Sequence, residues 1–597
     1  MRRTAAALAA LFTAAGGARP APLAAQDTAR VERDSVRAVR DSVAALRDSL
    51  RTAARCQGQT ITRIDVRNFP PDFGTISKRS ALLARLVRTL HATTDEAVIR
   101  RFLIVFEGQA CTELRRAESE RILRTQPFLA DARISVFPDG DGVRLDVYVV
   151  DETSIVGGVA LSNSGRPTRL RLGNTNLSGR SIYGDLEWRE GFFYRDFYGA
   201  RFRHHQLFGR PYLLEARGIR RQLGGEWLTA MAHPFLTDLQ RVAWRVLTGD
   251  DEEYVGFVRE EGVFPSVLAQ RDFADVGGIV RIGLPGQLSL FGLSFSRERE
   301  AVGAGPVVRT DTGLVEFNEP GDSVLRAYNP HQAARVNALW GVRNIRYRPV
   351  VGFDALTAAQ DVRVGVQFGT LFGRSLSVLG SADDDILVAS DVYAGFGGQR
   401  AFVSLQAGGS GREDGNTNRW DGILASTRGA LYLKPGTRHT LVARAEFGAG
   451  WRARLPFQLT LADLVGGVRG YQRSQVGGAQ RVVLRLEERW FAGRPRGLGD
   501  LGFALYGDAG KLWAGDVPYG VDTPVRIGVG MGILAAVPPR SQRLYRLDIA
   551  FPVSPDAHAR WELRLSNSGA RPEGFNEPGD LARSRERTLP TSIFNWP

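Results

Sequence analysis

The residues of this chain best placed to do chemistry are charged ones at regular spacing, and the chemistry they point to is ion pairing. In Arg481 to Phe491, Val482, Leu484, Leu486 and Trp490 take one face of an extended strand while Arg481, Arg485, Glu487 and Arg489 take the other; Val483 and Glu488 break the alternation. Ala559 to Ser566 repeats the pattern, with Trp561, Leu563 and Leu565 opposed to Arg560, Glu562 and Arg564. Between such strands lies the Gly-rich segment Gly466-Gly467-Val468-Arg469-Gly470-Tyr471. Downstream comes Phe503-Ala504-Leu505-Tyr506-Gly507-Asp508-Ala509-Gly510. Parity sets Asp508 with Ala504 and Tyr506, opposite Phe503 and Leu505. If the polar faces enclose a lumen, an inward-folded Arg469 meets Asp508 there. Taken alone, Val468-Arg469-Gly470-Tyr471 also reads as an ordinary Gly-rich turn with a solvated arginine.

Other reactive side chains are sparse. Cys56 and Cys111 are too few for a disulfide scaffold or a structural zinc site. They could form one disulfide, and closing the 55 residues between them would stabilise the fold by about 4 kcal/mol on a loop-entropy argument; the alternative is two unpaired thiols. His91, His204, His205, His233, His331, His439 and His558 are too scattered to ligate a metal, and adjacent His204 and His205 point to opposite faces of a strand. Gly408-Gly409-Ser410-Gly411 lacks the spacing of a nucleophile elbow, and no phosphate-binding Gly-Lys loop occurs. No enzyme, metal or cofactor is implied. The acidic runs Asp250-Asp251-Glu252-Glu253 and Asp383-Asp384-Asp385 could hold cations but read as loop turns and solvated rims.

The elements that must position these residues follow from composition and periodicity. The chain has 597 residues, 43% hydrophobic and 24% charged, with 68 Gly. The only long apolar run, residues 5 to 16, is shorter than the ~18 to 20 residues of a spanning helix, which excludes a helical transporter. The net charge of +14 is carried by dispersed Arg, with Lys only at 78, 434 and 511. Nucleic-acid binding, which needs a basic tract or patch, is not indicated. Arg2 and Arg3 before that apolar run, with small residues around Ala21 to Gln26, predict a secretory leader over residues 1–25. Near-identical heptads from Arg33 to Ala53 predict a helix within 27–55, either a short coiled coil or a solvated spacer.

From Thr60 to Glu152 the pattern predicts strand, helix, helix, strand, strand. A first helix spans Leu82 to Leu90. A second, capped by Thr112, carries Leu114, Ala117 and Ile122. Two strands with Ile134, Val136, Val143, Leu145, Val147 and Val149 flank the turn Asp139-Gly140-Asp141-Gly142. After about residue 153, strands follow one another with no convincing helix. Arg/Glu alternation in strand after strand suits a lipid-facing wall around a polar lumen better than a soluble sandwich. Closure into a ring is required, because an open sheet edge in lipid leaves backbone groups unpaired.

The segment 56–152 resembles a POTRA domain, on Glu107-Gly108-Gln109, Glu118 to Arg124, Phe128-Leu129-Ala130-Asp131-Ala132 and Val150-Asp151-Glu152. The stretch 466–510 resembles the loop and strand motifs of the BamA/TamA superfamily of outer-membrane barrels (bacterial surface antigen family). Gly173 to Gly179 resembles that family's first barrel strand and turn. The resemblance implies that Val468, Arg469, Gly470 and Tyr471 form a loop-locking motif, with Asp508, Gly510 and Glu487 as its partners on the barrel wall. It implies an antiparallel barrel of about sixteen strands over 153–569, behind a periplasmic POTRA-like domain and ahead of a periplasmic tail at 570–597. Five strands are drawn after the loop, at about 481–491, 500–512, 524–537, 543–553 and 559–567.

The implied function is assembly or translocation of outer-membrane proteins. Clients would be captured at the POTRA domain and moved through a lateral seam; the alternative is a passive pore or structural barrel. Expected partners are outer-membrane lipid, unfolded outer-membrane or secreted clients, and periplasmic accessory proteins.

Overall fold

The computed structural model describes residues 54–71, 92–161, 167–191, 195–259, 264–303, 305–310, 313–317, 328–463, 466–472, 474–554 and 560–569. The leader at 1–25, the heptads up to residue 53, the helix expected over Leu82 to Leu90 and the tail at 570–597 lie outside the described residues.

The chain divides into two compact units. One comprises residues up to Asp65, Glu107–Glu113 and Ser135–Asp146; the other comprises Val66–Phe106, Leu114–Ile134 and everything from Val147. In the first unit, the start of β1 (Gln57–Phe69) pairs antiparallel with the short β2 (Ala110–Thr112). Ile61 and Ile64 are both buried, although residues three apart fall on opposite faces of a strictly alternating strand. Cys56 and Cys111 are joined by a disulfide, with Cα atoms 4.9 Å apart, across this strand pair. Thr62 Oγ1 donates to Asp139 Oδ2 at 2.6 Å, and the Ile64 N–H donates to Glu107 Oε1 at 3.0 Å. With β3 (Leu129–Asp139) and β4 (Gly142–Asp151) the strands form a sheet in the order β2-β1-β4-β3.

In the second unit, α1 (Glu96–Arg101) and α2 (Glu113–Arg124) precede the barrel. Neither α1, six residues long, nor β2, three residues long, is long enough to leave a periodic signature in sequence. The second helix matches the one predicted from Thr112.

The barrel closes from Ile155–Leu161 to Glu562–Gly569. Among the described residues its wall has twenty strands, fifteen before the Arg469 loop and five after it. Two three-residue strands, Val307–Arg309 and Leu314–Glu316, extend one hairpin. The expectation of about sixteen is therefore corrected. Period-two alternation cannot separate a wall strand from an extended hairpin, and Phe197–Leu207, Tyr212–Arg220 and Gly224–His233, joined by short turns, all belong to the wall. The five later strands, Gln480–Gly493, Asp500–Trp513, Arg526–Ala536, Arg543–Pro552 and Glu562–Gly569, fall where the alternation put them. Gly173 does not open the barrel. It ends the second wall strand, Pro167–Asn174, because the first is a glycine-rich segment whose alternation is too weak to read.

Wall polarity is inverted relative to a soluble protein. Leu172, Leu186, Ile282, Leu293, Leu486, Leu505 and Leu565 are exposed on the outside, while Asp185, Arg271, Glu298, Arg335, Arg343, Glu487 and Asp508 are buried inside. Apolar surface of this extent is stable only against another apolar phase, here the bilayer. The acidic runs are corrected in part: Asp383 and Asp384 lie in a turn, with Asp384 exposed, as expected, but the other acids do not. Asp250 to Glu253 lie inside the strand Val242–Gly256, where Asp251 meets Arg221 at 2.5 Å, and Asp385 is buried against Arg335. Strand parity turned alternate acids inward, which a reading of charge clusters as solvated rims ignores.

Thiol labelling of the purified chain under denaturing, non-reducing conditions should detect no free cysteine. Two reactive thiols per chain would contradict the disulfide.

Candidate functional site

The loop 452–479 leaves the fifteenth wall strand, His439–Trp451, and returns to the sixteenth, Gln480–Gly493. It folds inward because it carries its own apolar residues. Phe457, Leu459, Leu461, Val468, Tyr471 and Val476 are buried together against Val483 and Leu512 of the wall. A short antiparallel pair, Leu459–Thr460 with Gly477–Gly478, ties the two limbs of the loop.

At its tip Arg469 is 5% exposed. Its Nε and Nη2 donate to the two oxygens of Asp508, each at 2.7 Å, and its backbone N–H donates to Asp508 Oδ2 at 3.2 Å. This is the bidentate fork that makes an arginine–carboxylate pair directional. The remaining nitrogen, Nη1, donates to Glu487 Oε2 at 2.9 Å, and the guanidinium lies 3.5 Å from the Tyr506 ring centroid. Two glycines permit the approach. Gly470 has φ +96°, a left-handed backbone that side chains rarely adopt, and a Cβ on Gly510 would lie 2.5 Å from Val468 Cγ2. Tyr471 reaches past them to donate its hydroxyl to the Ile527 carbonyl at 3.1 Å. All seven residues of the loop motif and its wall partners therefore meet at one place.

Glu487 does more than pair with Arg469. It also accepts from Arg489 Nε at 2.5 Å and from Arg546 Nη1 at 2.8 Å. Arg546 in turn binds Asp548 at 2.9 Å, and Arg485 bridges Glu446, at 2.8 Å, to the Gly466 and Gly467 carbonyls of the loop.

A residue set absent from the sequence reading completes the network. The turn Gly352 to Ala358, after the tenth wall strand, reaches into the lumen from the opposite end to the loop. Arg489 Nη1 donates to the Phe353 carbonyl at 2.7 Å, and Asp354 pairs with Arg444 at 2.6 Å and accepts from the Tyr432 hydroxyl at 2.9 Å. Phe353 stacks on Tyr432 with centroids 4.8 Å apart, and Leu356 packs with Ala504, Leu534 and Leu544 on the far wall. The only signal in sequence was a buried-type Phe beside an Asp in a short turn, which is too common to single out. Across the network, Arg444, Arg469, Arg485, Arg489 and Arg546 are matched by Asp354, Glu446, Glu487, Asp508 and Asp548.

At the end where the chain enters the barrel, α2 is fastened to turns that follow even-numbered wall strands and to the start of the eleventh wall strand, Ala359–Ser375. Arg124 forms a bidentate pair with Asp361 at 2.7 and 2.8 Å, Thr237 Oγ1 donates to Glu118 at 2.6 Å, and Gln542 Nε2 donates to the Arg124 carbonyl at 2.9 Å. Burial alone would lower the affinity of Arg124 for its proton, but the Asp361 and Glu120 carboxylates outweigh it and hold the guanidinium above its usual range.

No family model matches this sequence, and no curated protein matches it. Solved structures align with it as follows. BamA from Haemophilus ducreyi lacking POTRA domains 1-3 is 12% identical with a TM-score of 0.34, over 84% of this chain and 83% of that one. CdiB from Escherichia coli is 14% identical with a TM-score of 0.37, over 92% and 98%. CdiB from Acinetobacter baumannii is 10% identical with a TM-score of 0.36, over 86% and 74%. Likeness at this level assigns no residue and no activity. The site rests on its own geometry.

Removing one partner of a buried, hydrogen-bonded pair leaves the other charge unmatched, at a cost of about 3–5 kcal/mol. Arg469→Ala should therefore raise hydrogen exchange in residues 466–476 while the barrel stays folded. Glu487→Gln, which loosens three guanidiniums, should also raise exchange at 352–358. Unchanged protection of the loop in Arg469→Ala would refute the lock.

Proposed function

We propose that this chain is a non-enzymatic outer-membrane assembly or translocation factor of the BamA/TamA type. Its β1–β4 domain would lie in the periplasm, and its barrel would act through the seam between its first and last strands. The observation that carries the reading is the inward loop held by Arg469, Asp508 and Glu487 within a closed wall. A loop anchored in this way gives the lumen a fixed internal brace while the wall beside it remains free to part.

Strand length supports the choice of seam. Among the described residues the strands beside the closure, Ile155–Leu161, Pro167–Asn174 and Glu562–Gly569, have seven or eight residues, against 20 and 21 in Pro265–Leu284 and His331–Val351. Fewer paired residues mean fewer ladder hydrogen bonds to break, so opening is least costly there. A passive pore needs a clear lumen, whereas the loop and the turn Gly352 to Ala358 occupy this one. With twenty strands, an even number, both ends of the wall face the periplasm, and the Arg469 loop starts from the extracellular side.

Client capture would use strand addition at a free sheet edge. The long edge strand is β3, and α2 shields it. Glu120 Oε2 accepts from the Ile134 N–H at 3.0 Å, and Arg116 Nη1 donates to the Ile134 carbonyl at 2.9 Å. Capture at this edge therefore requires α2 to release it. Burial alone would raise the Glu120 carboxyl, but Arg124, the Ile134 N–H and Arg116 outweigh that and hold it below the usual range. A carboxyl lowered in the folded state contributes stability that is present above its unfolded value and lost as pH falls through its folded value. Crosslinking of an extended client peptide to β3 should thus increase under acid conditions, and Glu120→Gln should raise it at neutral pH. Equal crosslinking in the variant and wild type would exclude α2 as the shield.

Depletion of the protein in its host tests the function itself. Unfolded outer-membrane proteins should accumulate, as read by the heat-modifiable gel mobility of folded barrels, and wild type but not Arg469→Ala should restore folding. Normal folding of other barrels after depletion would rule out an assembly role.

A further inference from the structure

The geometry points to a buried binding site for one small oxyanion, of phosphate or carboxylate chemistry, between Arg121 of α2 and Arg281 of the eighth wall strand. The site lies away from the Arg469 network, at the end where the chain enters the barrel. The turn after the sixth wall strand folds inward there and buries Phe235 completely. Arg281 stacks on that ring, 3.4 Å from its centroid, and its side chain has no solvent exposure. Its Nη1 donates to the Thr237 carbonyl at 3.1 Å and lies 3.4 Å from Asp238 Oδ1. Its Nε and Nη2 are sealed from solvent and meet no acceptor among the described residues. Those two atoms form one edge of the guanidinium. Their parallel N–H bonds match two oxygens of a carboxylate or phosphate, which is the arrangement Arg469 uses on Asp508.

A second guanidinium lies alongside. Arg121, 4.0 Å from the Tyr347 ring centroid, directs Nε and Nη2 to Glu118 at 3.1 and 2.8 Å, and Nη2 also to the Leu236 carbonyl. Leu236 and Thr237 are consecutive, so the two arginines grip adjacent carbonyls of one turn. Arg121 Nη1 is buried and also lacks a partner among the described residues. The neighbouring Arg343 is complete, with Asp238 at 2.8 Å, the Tyr347 hydroxyl at 2.8 Å and Gln367 as acceptors. Three guanidiniums thus share two carboxylates, Glu118 and Asp238. Water could fill the open donors but would leave the net positive charge buried, which is the costly condition. An oxyanion satisfies the donors and the charge together. Because Arg121 sits on α2 and Arg281 on the wall, the bound anion would join helix to barrel.

The test uses the full chain purified in detergent and dialysed into chloride, with inorganic phosphate and acetate titrated at constant ionic strength. Phosphate, acetate or both should raise the unfolding temperature of wild type where chloride does not. Arg281→Gln should bind about tenfold or more weakly, the loss of a bidentate pair. Arg281→Lys, which keeps the charge and loses the fork, should lose most of the effect as well. If Arg281→Gln does not fold, Arg121→Gln takes its place and should weaken binding in the same direction. Organic phosphorus released on denaturing the undialysed protein would identify a lipid headgroup as the source, and inorganic phosphorus the free ion. No stabilisation by either oxyanion, or an equal effect in wild type and both Arg281 variants, overturns the proposal.

Discussion

A guanidinium inside a barrel keeps its charge, so each one drawn out of water must find a carboxylate, and the interior of this protein is organised by that requirement. Arg469 illustrates it. Its five donors can be satisfied inside the lumen only where two acids converge, and Asp508 and Glu487, on adjacent strands of the wall, supply them. The loop is consequently held by direction as well as by charge, because the fork accepts Asp508 in one orientation only. Glu487 then serves two further arginines, and Arg489 carries the connection to the Phe353 carbonyl. A loop from one end of the lumen and a turn from the other are thus coupled through one carboxylate.

The same requirement recurs where the loop begins. Arg454 reaches Asp385 at 3.3 Å and Asp421 at 3.1 Å, while Arg335, nearly inaccessible to solvent, pairs with Glu298 and Asp385. Pairs of this kind contribute little net stability, since desolvation offsets most of the attraction. Their consequence is specificity, because an alternative placement of the loop would strand several charges at once. The Arg121 and Arg281 cluster is the exception in its balance of charge, and that imbalance sets it apart as a site for something the chain does not itself provide.

Backbone closure is the second constraint. A ring leaves no edge in lipid, yet its strands need not be equal, and among the described residues strands of seven and eight residues meet at the closure. Helix α2, which belongs to one compact unit with the barrel, is fastened at the barrel's entry end and also covers the β3 edge at Ile134. Arg116, Glu120 and Arg124 thereby link the state of the β3 edge to the grip on Asp361.

Much of this was determined by the sequence alone. The period-two alternation dictated strands, an inverted wall and the inward aim of Asp508 and Glu487, because side-chain direction in a strand is set by parity and nothing else. The five strands after the loop and helix α2 were legible for similarly local reasons, whereas the pairing of Cys56 with Cys111, 55 residues apart, stayed open in the sequence. The strand count was not, because an extended hairpin and a wall strand share one period. The burial of Asp251 and Asp385 was missed because charge clustering says nothing about which face is covered. Only the tertiary structure could place Phe353 beside Arg489, 136 residues away in the chain, and Asp354 beside Arg444, 90 away, or bring Arg121 and Arg281 onto one turn. Such contacts depend on how the ring closes, and ring closure is a property of every strand together.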